Sequence, residues 1–313
     1  MSRAFVFPGQ GSQAVGMGAE LAAAFPVARH VFEEVDEALK QKLSKLMFEG
    51  PEDTLRLTEN AQPALMAMSV AVVRVIEAEG GKPIADLAAY VAGHSLGEYS
   101  ALAAAGAFSL ADTARLLKAR GEAMQAAVPV GEGAMAALLG LSVADAEAVA
   151  AESAADEVCD VANDNSEGQI VVSGSTAAVE RAVALAAERG AKRSIMLSVS
   201  APFHCALMEP AAEIMTYALA QTETARPAPP VVANVTAEPV DDPDELRNLL
   251  VEQVTHRVRW RECVLKMRDL GVDTLVEVGA GKVLTGLTRR IDRDLSGMAV
   301  GTPAEVEAFL KTI

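Results

Sequence analysis

The stretch from residue 134 to residue 199 limits the fold more than any other part of the chain. Residues 134–139 form a short apolar run of strand length, and 143–155 carry helical spacing. Residues 158–162 and 169–173 read as strands around the polar turn NDNSEG. Residues 176–189 are helical again, closed by Gly190, and 192–199 form a last strand. The order is β-α-β-β-α-β, the ferredoxin-like pattern. A unit of that kind is complete in itself. Residues 129–199 are therefore expected to form a small domain inserted into a larger one built from 1–128 and 200–313.

The flanking halves alternate strands with helices, so the class is α/β. Residues 4–7 are a buried strand stopped by Pro8 and Gly9; 21–45 are helical in pattern and charge. An apolar helix over 63–79 ends at Gly80 and Gly81, and a strand over 87–92 leads through 93–97 into a helix over 98–105. Residues 110–127 are helical. After the insert come a helix (210–221), the stiff link ARPAPP, a strand (231–235), helices at 244–253 and 261–270, a strand (272–278) and a helix (283–290).

Hydrophobic residues make up 51% of the 313, enough for a large core, but only 4% are aromatic, so the interior must rely on small aliphatic side chains. The formal charge of −16 argues against nucleic-acid binding, which needs a basic face. Three scattered cysteines offer neither a disulfide framework nor metal-ligand spacing, and a reducing cytoplasm fits them. The beginning MSRAFVFPGQ has no long apolar region, and no uninterrupted apolar run reaches membrane-spanning length.

The predicted turn at 93–97 reads G-H-S-L-G. Chance alone puts G-x-S-x-G into roughly one chain of this length in ten. Its place between a strand and a helix is what gives it weight, because a nucleophile elbow needs that context. A serine hydroxyl attacks only with a base within reach and donors for the oxyanion. The elbow supplies one donor, the N–H of Leu96, and the helix start adds a positive dipole end. Among the histidines, His30 and His256 read as surface residues, and His94, a neighbour in a sharp turn, points elsewhere. His204, in the loop SAPFHCALM, is the best base by elimination. The glycine-rich loop PGQGSQAVGMG contains a G-x-G-x-x-A match, but Pro8 interrupts it and no second strand ending in an acid follows. Close approach to an acyl group suits it better, with Gln10 as a second oxyanion donor. GAGK at 279–282 lacks both the earlier glycine and the following Ser or Thr of a phosphate loop. Arg120 is either a solvated helix residue or a fixed cation for a substrate carboxylate, and spacing does not choose.

Four stretches, FVFPGQGSQ, GHSLGEYSAL, ARGEAMQ and SAPFHCALM, together resemble the malonyl-CoA:acyl-carrier-protein transacylase family of bacterial fatty acid synthesis. GAMAALLGL and EVGAGKVLTGL add to the likeness, which spans nearly the whole chain; GAGK stands where the family usually has GPGK. The resemblance implies an α/β-hydrolase-like large domain with an inserted ferredoxin-like small one. It implies Ser95 as nucleophile, His204 as base, Gln10 and Leu96 as oxyanion donors and Arg120 as partner of the malonyl carboxylate. It makes Gln253 the residue whose backbone carbonyl orients the histidine. Phe203 occupies the position where related domains carry Phe when they prefer malonyl. The implied partners are malonyl-CoA, as substrate, and acyl carrier protein, with no cofactor, no metal, no nucleic acid and no membrane, in a cytoplasmic monomer. Basic residues near 192–193, 257–268 and 282–290 are the candidates for docking the acidic carrier. A serine thioesterase, an acyltransferase of polyketide synthesis or malonate decarboxylation, and a non-catalytic interaction domain are the competing functions.

Overall fold

The computed structural model describes residues 2–313. Ten strands fall into two sheets among these residues: β1 (Arg3–Phe7), β2 (Tyr90–Gly93), β3 (Gly133–Leu139), β4 (Cys159–Ser166), β5 (Gln169–Ser175), β6 (Arg193–Met196), β7 (Val231–Val232), β8 (Pro239–Val240), β9 (Thr274–Val278) and β10 (Ser296–Val300). The first sheet has the order β10-β9-β1-β2-β7-β8. It is parallel up to β7, with β8 turning back antiparallel at the edge. The second has the order β4-β5-β3-β6 and is antiparallel throughout, with helices Val143–Ala154 and Thr176–Glu188 in its crossovers. That is the β-α-β-β-α-β unit expected of the insert, and its elements lie within 133–196.

β1 shows why the large sheet reads as an unbroken apolar run rather than an alternating one. Phe5 and Phe7 face a core that includes helix Thr58–Gly80; Ala4 and Val6 face another that includes Trp260 and helix Trp260–Asp269. A parallel strand covered on both faces has no solvent side to mark with polar residues. Because the strands run in one direction, their carboxyl ends converge on one edge, and ligands of open α/β sheets bind there. Gln10 follows β1, Ser95 follows β2 and Asn234 follows β7.

Several expected elements change when packed. The helical stretch 21–45 is three helices, Ala19–Ala24, Pro26–Leu39 and Leu43–Glu49, because Pro26 starts a new helix and Lys40 ends it in a left-handed conformation (φ 51°). Ile84–Leu87 is a helical turn, so the strand expected over 87–92 is Tyr90–Gly93. The polar NDNSEG segment is strand almost to its end, with register shifts near Asn163 and Asp164. Arg261 and His94 satisfy its polar side chains from the large domain, which local sequence cannot reveal. β10 and helix Pro303–Leu310 close the chain beyond the last element read from sequence.

Helix Thr58–Gly80 starts five residues before Pro63, the residue that reads as its first position. By length and composition it could cross a membrane, although Gln62, Ser69, Arg74 and Glu77 interrupt its apolar run, and 83% of its most apolar window is buried inside the protein. Its extra first turns carry Thr58 and Gln62 toward the site.

Candidate active site

Ser95 occupies the turn between β2 and helix Leu96–Ala104 with φ 54° and ψ −112°. A non-glycine residue in that region costs on the order of 1–3 kcal/mol and persists only where the surroundings hold it. Asn234 does the holding: its Nδ2 donates to Gly93 O at 2.7 Å, and its Oδ1 accepts from Ser95 N at 2.8 Å. The two motif glycines are sterically required. A Cβ at Gly93 would lie 1.9 Å from the Gly97 carbonyl, and one at Gly97 would lie 2.2 Å from Phe7 O. Helix and strand thus touch through backbone alone, which leaves Ser95 at the sheet edge.

His204 comes from the loop between β6 and helix Glu209–Ala220 and also has a left-handed backbone (φ 59°). Asp160 of β4 accepts from Ala206 N at 2.9 Å, so the insert helps to hold this loop. The His204 Nε2 lies 2.7 Å from Ser95 Oγ, and Nδ1 lies 2.8 Å from Gln253 O. A carbonyl only accepts, so Nδ1 carries the hydrogen and Nε2 keeps the lone pair that faces the serine. Gln253 O is available because it belongs to the last turn of helix Pro243–Thr255, whose carbonyls have no helical partner. Burial, and then the nearby Arg120 cation, hold the His204 pKa down at about 3, so the resting imidazole is neutral.

Arg120 is 1% exposed. One guanidinium nitrogen, Nη2, donates to Ser95 Oγ at 3.2 Å and to Gln253 Oε1 at 2.8 Å; Nη1 donates to Gln62 Oε1 at 2.7 Å. The guanidinium carbon stands 5.6 Å from the Tyr99 ring centre. All its hydrogen-bond partners are neutral, and no carboxylate is paired with it among the described residues. Buried cations are normally paired, because the desolvation of an isolated one costs several kcal/mol. Burial pushes the Arg120 pKa down, yet a guanidinium stays charged.

Leu96 is the first residue of its helix, so its N–H has no intrahelical acceptor and points from the positive end of the helix. Gln10 lies in the loop after β1. That loop touches the elbow: His94 N donates to Phe7 O at 3.0 Å. The Gln10 side chain donates to Thr58 Oγ1 at 3.2 Å. His94 turns away from the serine and donates to Asn165 Oδ1 at 2.8 Å; His30 and His256 are exposed. Phe203 is buried beside the base.

Sequence reading missed four polar residues here: Gln62, Glu98, Asn234 and the side chain of Gln253. Gln253 Nε2 donates to Ser95 O at 3.1 Å and to Glu98 Oε2 at 2.8 Å, while Asn234 N donates to the same Glu98 oxygen at 3.0 Å. The available signal was a carboxylate, Glu98, set in the otherwise apolar first turn after the elbow.

A cavity of about 860 Å³ lies between the two sheets' domains, with His204, His256, Arg257 and Arg259 on one wall and Glu147, Cys159 and Asp160 on the other. Most of the basic residues flagged in the sequence are paired with acids: Arg257 with Glu147, Arg259 with Glu262, Arg261 with Asp164, Lys266 with Glu238, Arg268 with Asp292 and Lys282 with Glu305. Arg289 and Arg293 line a second cavity of about 520 Å³. Among the described residues no group of three or more His, Cys, Asp or Glu is placed to hold a metal.

Comparison with known proteins gives the family. Residues 4–302 match the acyl transferase domain family. The chain is 46% identical to the malonyl CoA-acyl carrier protein transacylase of Bacillus subtilis (strain 168), covering 99% of this chain and 96% of that one. It superposes on the acyl-carrier-protein-S-malonyltransferase of Bartonella henselae with a TM-score of 0.97 at 57% identity, over 100% of this chain and 99% of the other. It also superposes on a malonyl-transacylase solved in complex with its type II PKS acyl-carrier protein, with a TM-score of 0.96 at 43% identity over the full length of both. By family match, identity and fold together, the chain belongs to the acyl transferase family and, within it, to the malonyl CoA-acyl carrier protein transacylases.

Proposed function

We propose that the protein moves a malonyl group from malonyl-CoA to the phosphopantetheine thiol of an acyl carrier protein, through a malonyl ester on Ser95. The observation that carries this reading is the buried Arg120 guanidinium, 3.2 Å from Ser95 Oγ and satisfied only by neutral oxygens. A site that keeps a desolvated cation unpaired beside its nucleophile is built for a substrate that brings a carboxylate, because the guanidinium can hold it bidentately. An acetyl group would leave the cation unpaired, at a cost on the order of 3–5 kcal/mol.

In the loading step Ser95 attacks the thioester carbonyl and His204 Nε2 takes its proton. The Gln253 carbonyl holds the ring and stabilises the imidazolium through Nδ1–H. The oxyanion rests on the N–H groups of Leu96 and Gln10, each such donor being worth about 2.7–4 kcal/mol. His204 returns its proton to the departing CoA thiolate, leaving the ester. The carrier's thiol then gives up its proton to His204 and attacks the ester, and the same groups act in reverse. Ping-pong kinetics follow. Every group comes from one copy of the chain, so we read the active unit as a monomer. A cytoplasmic location belongs to this reading and is supported by three buried free thiols.

A serine thioesterase would share the serine and the base but needs no cation in the acyl pocket. Incubation with isotopically labelled malonyl-CoA, followed by peptide mapping, tests the proposal: label is expected on the peptide containing Ser95 and is expected to leave on addition of carrier protein. Release of free malonate at the same rate without a carrier thiol would favour the thioesterase.

A further inference from the structure

Glu98 is the buried ionisable group near the site to which the mechanism gives no role. It is 1% exposed, and one oxygen, Oε2, accepts from both Gln253 Nε2 (2.8 Å) and Asn234 N (3.0 Å). These partners are the ones that set the site. Asn234 Oδ1 holds Ser95 N, and the Gln253 amide holds Arg120 Nη2 on its other end. A single amide therefore separates the Glu98 carboxyl from the Arg120 guanidinium, an arrangement that couples their charges without letting them touch. The other groups that face Glu98 carry no charge to balance. Tyr99 on its own helix and Cys263 on helix Trp260–Asp269 are both kept neutral by burial, the tyrosine with its pKa pushed up to about 12. Arg120, from helix Leu110–Ala127, is the cation that acts on Glu98, and His204, across the Gln253 carbonyl, is neutral.

We infer that Glu98 is the internal counter-ion of Arg120, relayed through the Gln253 amide, and that it takes up one proton from solvent when a substrate carboxylate occupies the guanidinium. The charge balance is direct. One cation and one carboxylate are neutral together; a second carboxylate leaves the buried site at −1, and a proton on Glu98 restores neutrality. Burial already pushes the Glu98 pKa up to about 7, against the hydrogen bonds from Gln253 and Asn234, so a further negative charge moves it through the range where proteins are assayed. The inference rests on the reading that a malonyl carboxylate binds Arg120.

The test uses the full-length Ser95→Ala protein, which binds without reacting, titrated calorimetrically with malonyl-CoA and with acetyl-CoA in buffers of different ionisation enthalpy. Proton uptake is expected with malonyl-CoA at about pH 8, fading near pH 6 where Glu98 is already protonated. None is expected with acetyl-CoA, which shares the CoA phosphates, and none with malonyl-CoA when Glu98→Gln is added. No uptake with malonyl-CoA, equal uptake with acetyl-CoA, or uptake that survives Glu98→Gln overturns the inference. If the Glu98→Gln protein fails to fold, infrared difference spectra of the Ser95→Ala protein decide. A protonated-carboxyl band must appear on adding malonyl-CoA and not acetyl-CoA; its absence refutes the inference. Adding Arg120→Ala separates the two levels. Unweakened malonyl-CoA binding there means the carboxylate reading itself has failed, whereas Arg120-dependent binding without proton movement rejects only the counter-ion role.

Discussion

Two of the buried charged residues, Asp164 and Arg120, are treated in opposite ways. Asp164, fully buried in β4, is met by the Arg261 guanidinium, with Nε 3.1 and 2.9 Å from its two oxygens and Nη2 2.9 Å from one of them. Arg120, equally buried, has only the oxygens of Gln62, Gln253 and Ser95. The first pair ties the inserted sheet to helix Trp260–Asp269 and spends its charge inside the protein. The second keeps its charge for something that arrives. On the function proposed above, pairing separates a charge that joins domains from one kept for a ligand, where burial alone does not.

The largest effect that could break this contrast is on substrate choice. Arg120→Ala is expected to lower kcat/KM for malonyl-CoA roughly 10²–10³-fold while raising the acetyl-to-malonyl ratio. An unchanged ratio in competition assays would remove the recognition role. Arg261→Met is expected to do the reverse. It strands the Asp164 carboxylate and should lower the unfolding free energy by about 2–4 kcal/mol in urea titrations, a figure reduced because Arg261 is partly exposed. The acyl preference should not change. Arg120→Met should destabilise less than Arg261→Met, since the oxygens in contact with it are neutral and Glu98, with its pKa raised to about 7, can take up a proton once the cation is gone.

The third effect is on pH. With its pKa held at about 3, below the ordinary 6.5, His204 is already the free base at neutral pH. The pre-steady-state loading rate should therefore show no acid limb near pH 6.5; a limb there would mean that the resting imidazole is not the buried, neutral one described above. The same group links pH to stability. Below about 6.5 the unfolded chain binds a proton at this residue that the native site refuses, so stability falls as pH drops from there toward about 3. The raised pKa of Glu98 acts in the opposite sense: the native state holds a proton between 4.5 and about 7 that the unfolded chain has lost, and stability falls as pH rises through that window. The smallest effect belongs to the half-exposed pair Arg257–Glu147. Its removal by Glu147→Ala should cost under about 1 kcal/mol in the same titrations, and a larger loss would show that exposure does not set the value of a pair here.

Much of the site was legible before folding was considered. The elbow glycines, Ser95 and the α/β alternation announce themselves because backbone crowding and strand-to-helix turns leave local marks. His204 emerged from the residues by elimination, and the roles of Arg120 and Gln253 came through the resemblance. The residues that sequence reading missed share a property. Gln62 lies in helical turns hidden by a proline that normally begins a helix, Asn234 follows a strand only two residues long, and Glu98 reads as an ordinary acid near a helix start. Their importance lies in partners 58 to 155 positions away.

By itself the sequence determined the α/β alternation up to residue 290, the β-α-β-β-α-β unit and the sharp serine turn, since these depend on periodicity, glycine and proline within a few residues. Tertiary structure alone decided that Arg120 would be buried with no carboxylate in contact with it, that the polar NDNSEG segment would be strand, and that Glu98 would join Asn234 to Gln253. Each of those is a matter of desolvation and charge balance, set by residues distant in the chain that meet only once the core excludes water.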